Sequence, residues 1–268
     1  MTKLDPVPGA DHPPTMLESA LRHDRAPLAV IVILVPLVSW TWIVLMARDM
    51  YGPMTGSSAW MMTSVWDARH VFLLWAMWAV MMAGMMLPSA WPTLLLYGAV
   101  ARRRGSEPEV RRQIYALAAG YLIVWSLFSV LATAAQRMLS NLLLLSPMME
   151  LTSPVAGATT LLVAGVFQLT PLKHACLRTC QSPLSFLMRR FRRGGSGALR
   201  MGLEHGLFCL GCCWALMLLL FVGGVMNLVV IAALTAFVAV EKLSPFGAWS
   251  ARASGALLIG VAVWMFAR

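Results

Sequence analysis

EHGLFCLGCCWALM (residues 204–217) holds three of the chain's five cysteines and one of its five histidines inside an apolar run. Wound as a helix at about 100° per residue, it brings His205, Cys209 and Cys212 within about 60° of one another, with Cys213 about 40° further round. The surrounding run, residues 198–222, is long enough to cross a bilayer, which needs about 20 apolar residues. One helix face therefore carries an imidazole and two or three thiols at hydrocarbon depth. Polar, reactive groups are costly there, so their presence asks for a function.

The rest of the chain repeats that hydropathy. Hydrophobic residues make up 59% of its 268 residues and charged residues 12%, which predicts an all-α polytopic membrane protein and leaves no room for a separate soluble domain. Residues 1–25 are polar and Pro-rich, lack a signal-peptide core, and read as a mobile cytoplasmic tail holding His12 and His23. Residues 26–268 read as one helical domain. The net charge of +10 does not point to nucleic acid, because most of the excess lies in two short loops, ARRRGSEPEVRR and RRFRR. Short basic loops mark the cytoplasmic side of a multi-pass membrane protein. Structural disulfides are not expected on that side, which leaves thiolate metal binding or thiol redox chemistry for the cysteines.

Seven spans are predicted, over residues 27–47, 70–99, 113–135, 154–172, 198–222, 226–240 and 246–266. The N-terminus is then cytoplasmic. Six spans plus a re-entrant piece is the alternative count, with the last span the least secure because Arg252 lies near its start. Met54, Met61 and Met62 fall in the first outer loop. The second span is dense in methionine: Met81, Met82, Met85 and Met86 precede a Pro88–Pro92 break that frees backbone carbonyls, and Gly84 admits a neighbouring helix. Flexible apolar packing is the bland account of these methionines; a thioether site for a soft cation is the functional one.

This topology brings four spans to one level. Lys173, His174, Cys176 and Cys180 end the fourth span; Glu204, His205, Cys209, Cys212 and Cys213 begin the fifth; Glu241 and Lys242 end the sixth. Cys176 and Cys180, four residues apart, share a helix side. The candidate metal ligands are Cys209, Cys212, Cys213, His205, Cys176, Cys180, Met81, Met82, Met85 and Met86. Lys173, His174, Glu204, Glu241 and Lys242 are candidate supporting groups around them. A lone membrane cysteine is usually apolar filler, Lys173 has the alternative of snorkelling to the interface, and Glu241–Lys242 that of a plain helix end. Thiol and thioether donors suit Cu(I); a closed four-thiolate site would suit zinc instead.

Taken together, MMAGMMLPSAWP, QLTPLKHACLRTCQSP, GLEHGLFCLGCCWALM, GGVMNL and the late Glu241–Lys242 pair resemble a bacterial family of predicted metal-binding integral membrane proteins whose members are sometimes labelled copper chaperones. The resemblance covers residues 71–242. It implies a multi-span helical protein with a soft-metal site, and it adds Pro88 to the residues carried over. Three functions follow for test. The first is Cu(I) transport or chaperoning, with the bilayer, the ion and a metallochaperone or other membrane protein as partners. The second is thiol–disulfide redox at Cys209 and Cys212. The third is an assembly role in which the cysteines only pack helices. No Ser-His-Asp order or phosphate loop points to a conventional enzyme.

Overall fold

The computed structural model describes residues 30–52, 66–103, 105–146 and 149–268. His12, His23, Met54, Met61 and Met62 lie outside the described residues. Within them the chain is a helix bundle with one isolated antiparallel bridge, Leu145 to Leu151. A π-helical turn, Val30–Leu34, leads into α1, Val35–Met50. The helices that follow are α2 (Ala68–Arg102), α3 (Glu107–Asn141), α4 (Pro154–Leu169), α5 (Pro171–Gln181), α6 (Pro183–Arg190) and α7 (Gly194–Met217). The short α8 (Leu219–Gly223), α9 (Leu228–Leu243) and α10 (Gly247–Phe266) complete the bundle.

Local sequence sets these boundaries. Pro154, Pro171 and Pro183 each open a helix, where a missing N–H costs nothing. Ser153 and Thr170 cap α4 and α5 by accepting from Ala156 N and Lys173 N, and Asn227 caps α9. Asp67 caps α2 through a 2.7 Å bond from His70 N. Asp67→Ala is expected to cost about 1 kcal/mol, read as faster hydrogen exchange confined to the first turn of α2.

Five helices are long and apolar enough to cross a membrane: Val30–Met50, Ala68–Arg102, Glu107–Asn141, Gly194–Gly223 and Gly247–Phe266. The α4–α5 pair passes the same test only as a unit bent by 64°. Two expected spans thus take other forms. The fourth breaks at Thr170–Pro171, where proline cannot continue the α4 hydrogen-bond ladder. The sixth is a helix of 16 residues, about 24 Å long, against a hydrocarbon core of roughly 30 Å. The last one, α10, is a continuous 20-residue helix despite Arg252.

The second span also differs from expectation. Pro88 and Pro92 lie inside α2 without ending it. Pro88 has no N–H for the Gly84 carbonyl, and the Trp40 indole of α1 donates to that oxygen at 3.3 Å instead. Gly84 does admit a neighbour: a side chain there would meet Ser39 of α1.

The centre is the α3–α7 crossing. A Cβ at Gly202 would land on the Leu117 carbonyl oxygen, and one at Gly120 on the Leu199 carbonyl oxygen. Gly206, one turn on from Gly202, lies under Val124. Small residues four apart let two backbones touch, the arrangement that packs helices where apolar burial gives no drive. α2, α5 and α9 close around this pair, and α10 lies outside against α4.

Candidate metal centre

The α3–α7 contact turns one α7 face inward. His205 is 3% exposed, and Cys209, Cys212 and Cys213 are 1%, 0% and 0% exposed. All five cysteines are free thiols. Cys212 Sγ lies 3.3 Å from Cys213 Sγ and donates to the Cys209 carbonyl oxygen at 3.1 Å. Cys209 and Cys213, one turn apart on α7, lie close enough to interact, and so do Cys212 and Cys180 of α5. Four of the five thiols therefore form one connected group. The fifth, Cys176, rests on the α7 backbone, where a Cβ at Gly211 would come within 2.9 Å of its sulfur.

Three other helices reach the cluster. Lys242, near the end of α9, donates from Nζ to Cys209 Sγ at 2.8 Å and to Ser89 Oγ of α2 at 3.2 Å. Tyr121 of α3 lies with Oη 2.9 Å from Cys209 Sγ and donates to the Met86 carbonyl oxygen at 2.9 Å. Ser89 donates to the same carbonyl at 2.7 Å. Tyr121 has one proton for two neighbours. With Cys209 a thiol, the S–H donates to Tyr121 and Tyr121 donates to Met86. With Cys209 a thiolate, the sulfur accepts from Lys242 and from Tyr121. The cluster thus accommodates both forms.

His205 lies one turn from Cys209, with Nε2 3.4 Å from Thr93 Oγ1 of α2 and its ring between Tyr121 and Phe186. Its Nδ1 is buried with no hydrogen-bond partner. A buried lone polar nitrogen is costly, so this atom is available to a ligand.

A second polar group lies beside the first. Lys173 Nζ of α5 and Glu241 Oε2 of α9 form a 2.7 Å ion pair with both side chains at most 1% exposed. Gln168 of α4 donates to Glu241 Oε1 at 3.0 Å and to Ser254 of α10 at 2.9 Å. Gln181 donates to the Glu241 main-chain oxygen at 2.7 Å. This corrects the snorkelling alternative for Lys173, whose ammonium points into the bundle because Glu241 meets it there.

Not every candidate reaches the sulfurs. Met81, Met82, Met85 and Met86 are buried in α2, but what joins them to the cluster is the Met86 carbonyl. Glu204 faces away, held by Arg190 at 3.0 Å, Arg200 at 3.4 Å and Arg192 at 3.8 Å. His174 bonds through Nδ1 to its own helix start, the Thr170 carbonyl. Tyr121, Ser89, Thr93 and Gln168 were not among the expected residues. Each stands between apolar or proline neighbours in the sequence, and that was the one signal available for them.

Among the described residues no group of three or more His, Cys, Asp or Glu side chains stands ready to hold a metal ion. The chain's similarity to known proteins bears on what the thiols are for. Residues 75–265 match the model of the PpoB2 family, described as a copper chaperone. The chain belongs to the PpoB2 family. No curated protein matches it, and no solved structure does. The PpoB2 match starts within α2 and ends in the last turn of α10, so it takes in both polar groups and leaves α1 outside. It reaches past the end of the motif resemblance, at residue 242, into the helix whose Ser254 holds Gln168.

Proposed function

We propose that this chain is a multi-pass membrane protein that binds Cu(I) as cargo at the α7 thiols and hands it on. Cys209, Cys212 and Cys213, with the free Nδ1 of His205, are the proposed donors.

The observation that carries this reading is the charge balance. Lys242 is 5% exposed, and among the described residues no carboxylate pairs with it; Glu241, its chain neighbour, is taken by Lys173. A buried ammonium needs an anion. A soft cation is held by these sulfurs as thiolates, and Lys242 already touches one of them. The family description and the soft donor set support copper over zinc. Because Cys209 is hydrogen-bonded to Lys242 and Tyr121, loading needs those contacts to rearrange around the ion, which suits a carrier that must also release it.

Membrane placement is supported by the five long apolar helices and by the arginines gathered where α2, α3, α6 and α7 begin or end. We assign that basic end to the cytoplasm of a bacterial inner membrane, with the N-terminus on the same side. The bent α4–α5 pair and the short α9 then enter the bilayer without being plain spans. The donor or acceptor would be a metallochaperone or another membrane protein.

The test is the metal content of detergent-purified protein under reducing conditions, measured by elemental mass spectrometry. Wild-type protein is expected to hold near-stoichiometric copper, and the Cys209→Ala/Cys212→Ala/Cys213→Ala variant none. Copper absent from both, with a reversible disulfide among the α7 thiols on alkylation trapping, would instead support the redox reading.

A further inference from the structure

The five cysteines differ in depth. Cys176 and Cys180 are half-buried on α5, whereas the three of α7 are sealed. The neighbouring thiols run in one line: Cys180 beside Cys212 across the α5–α7 contact, Cys212 Sγ 3.3 Å from Cys213 Sγ, and Cys213 one turn from Cys209. Exposure drops in one step, from the half-buried Cys180 to the sealed sulfurs of α7. α5 is fixed over α7 from both sides, by Leu177 and the Lys173–Glu241 pair below and by the bend at Pro171. Its approach is close because position 211 is glycine, with the Cys176 sulfur lying on it.

Cu(I) moves between thiolates by associative exchange, in which the incoming sulfur bonds before the outgoing one leaves. That needs each donor to lie beside the next, as the order of thiols along this line provides. We propose that Cys180 is the exchange residue through which Cu(I) passes between the half-exposed α5 face and the buried α7 cluster, a proposal that rests on the Cu(I) reading above. In the entry step a Cu–S bond forms to Cys180 as one to the external donor thiolate breaks, and the Cys180 proton goes to that donor. In the next step a Cu–S bond forms to Cys212 as the bond to Cys180 breaks, and the Cys212 proton returns to Cys180. No electron is transferred.

The test uses the full chain in detergent, with a coloured Cu(I) chelate, bathocuproine disulfonate, as donor. The loss of its absorbance gives the loading rate, and elemental analysis gives the final stoichiometry. Cys180→Ser is expected to slow loading by roughly tenfold or more, a barrier rise of about 1.4 kcal/mol, with the final copper content of wild type. Cys180→Met, which restores a soft donor, is expected to recover most of the rate. Thr179→Ala, on the same helix, controls for disturbance of α5. A Cys180→Ser protein that loads at the wild-type rate overturns the proposal. So does one that loses copper at equilibrium, which would make Cys180 a permanent ligand. Wild-type protein that takes up no copper overturns the underlying Cu(I) reading, and the relay with it.

Discussion

Glu241→Ala is expected to destabilise the fold by about 3–5 kcal/mol, because it strands the Lys173 ammonium inside the bundle. Both partners are at most 1% exposed, so water cannot replace the lost carboxylate. Gln168 would keep Ser254 as an acceptor, so the penalty falls mainly on the lysine. Lys173→Met alone is expected to cost a similar amount by stranding Glu241. The double variant, Lys173→Met with Glu241→Leu, should recover most of the loss, since a well-packed apolar pair is often as stable as a buried ion pair. Thermal unfolding of the four proteins in one detergent makes the comparison. Single variants that melt within a degree or two of wild type would show that the pair is reached by water or that one member is neutral.

The second large effect lies at the α3–α7 crossing. Gly202→Leu is expected to cost about 3 kcal/mol or more, because the new side chain meets the Leu117 carbonyl rather than a movable side chain. The two helices can then only separate. Separation lifts Tyr121 from Cys209, so the α7 thiols should be alkylated faster in the folded protein as well as the melting temperature falling. Gly260→Ala in α10 is the contrast. Nothing lies within 4 Å of that position, and a gain of up to about 1 kcal/mol is expected from helix propensity alone. Equal behaviour of the two variants would mean that α3 and α7 do not touch at Gly202.

These effects bear on what the amino acids alone could reveal. The helices were legible because apolar runs, proline starts and basic loops are local signals. The α7 face was legible for the same reason: a helix of fixed pitch decides by itself that His205, Cys209 and Cys212 share a side. The partners of that face were only half legible. Lys242 was a plausible supporting group at a helix end, but that it meets Cys209 while Glu241 turns to Lys173 depends on how α9 packs between α2 and α5. Tyr121, Ser89 and Thr93 were missed because nothing in their local pattern tells which polar residues of α2 and α3 face α7. The bend after α4 is written in Thr170–Pro171. Its size, 64°, is not. The short α9 had the hydropathy of a span, and only its ends, the turn at Gly224 and the buried Glu241, limit it.

The bond from Trp40 to the Gly84 carbonyl has a consequence for biosynthesis. Proline 88 leaves that oxygen without its helical donor, and an unsatisfied carbonyl in hydrocarbon costs several kcal/mol. The indole that satisfies it belongs to α1, which precedes α2 in the chain and lies outside the family-matched region. A ribosome feeding the chain into the bilayer completes the donor before the acceptor exists. The order of the first two helices therefore lets the proline-containing helix enter lipid beside a ready partner, and a version of the chain with α1 moved to the other end would have to insert α2 with that oxygen bare.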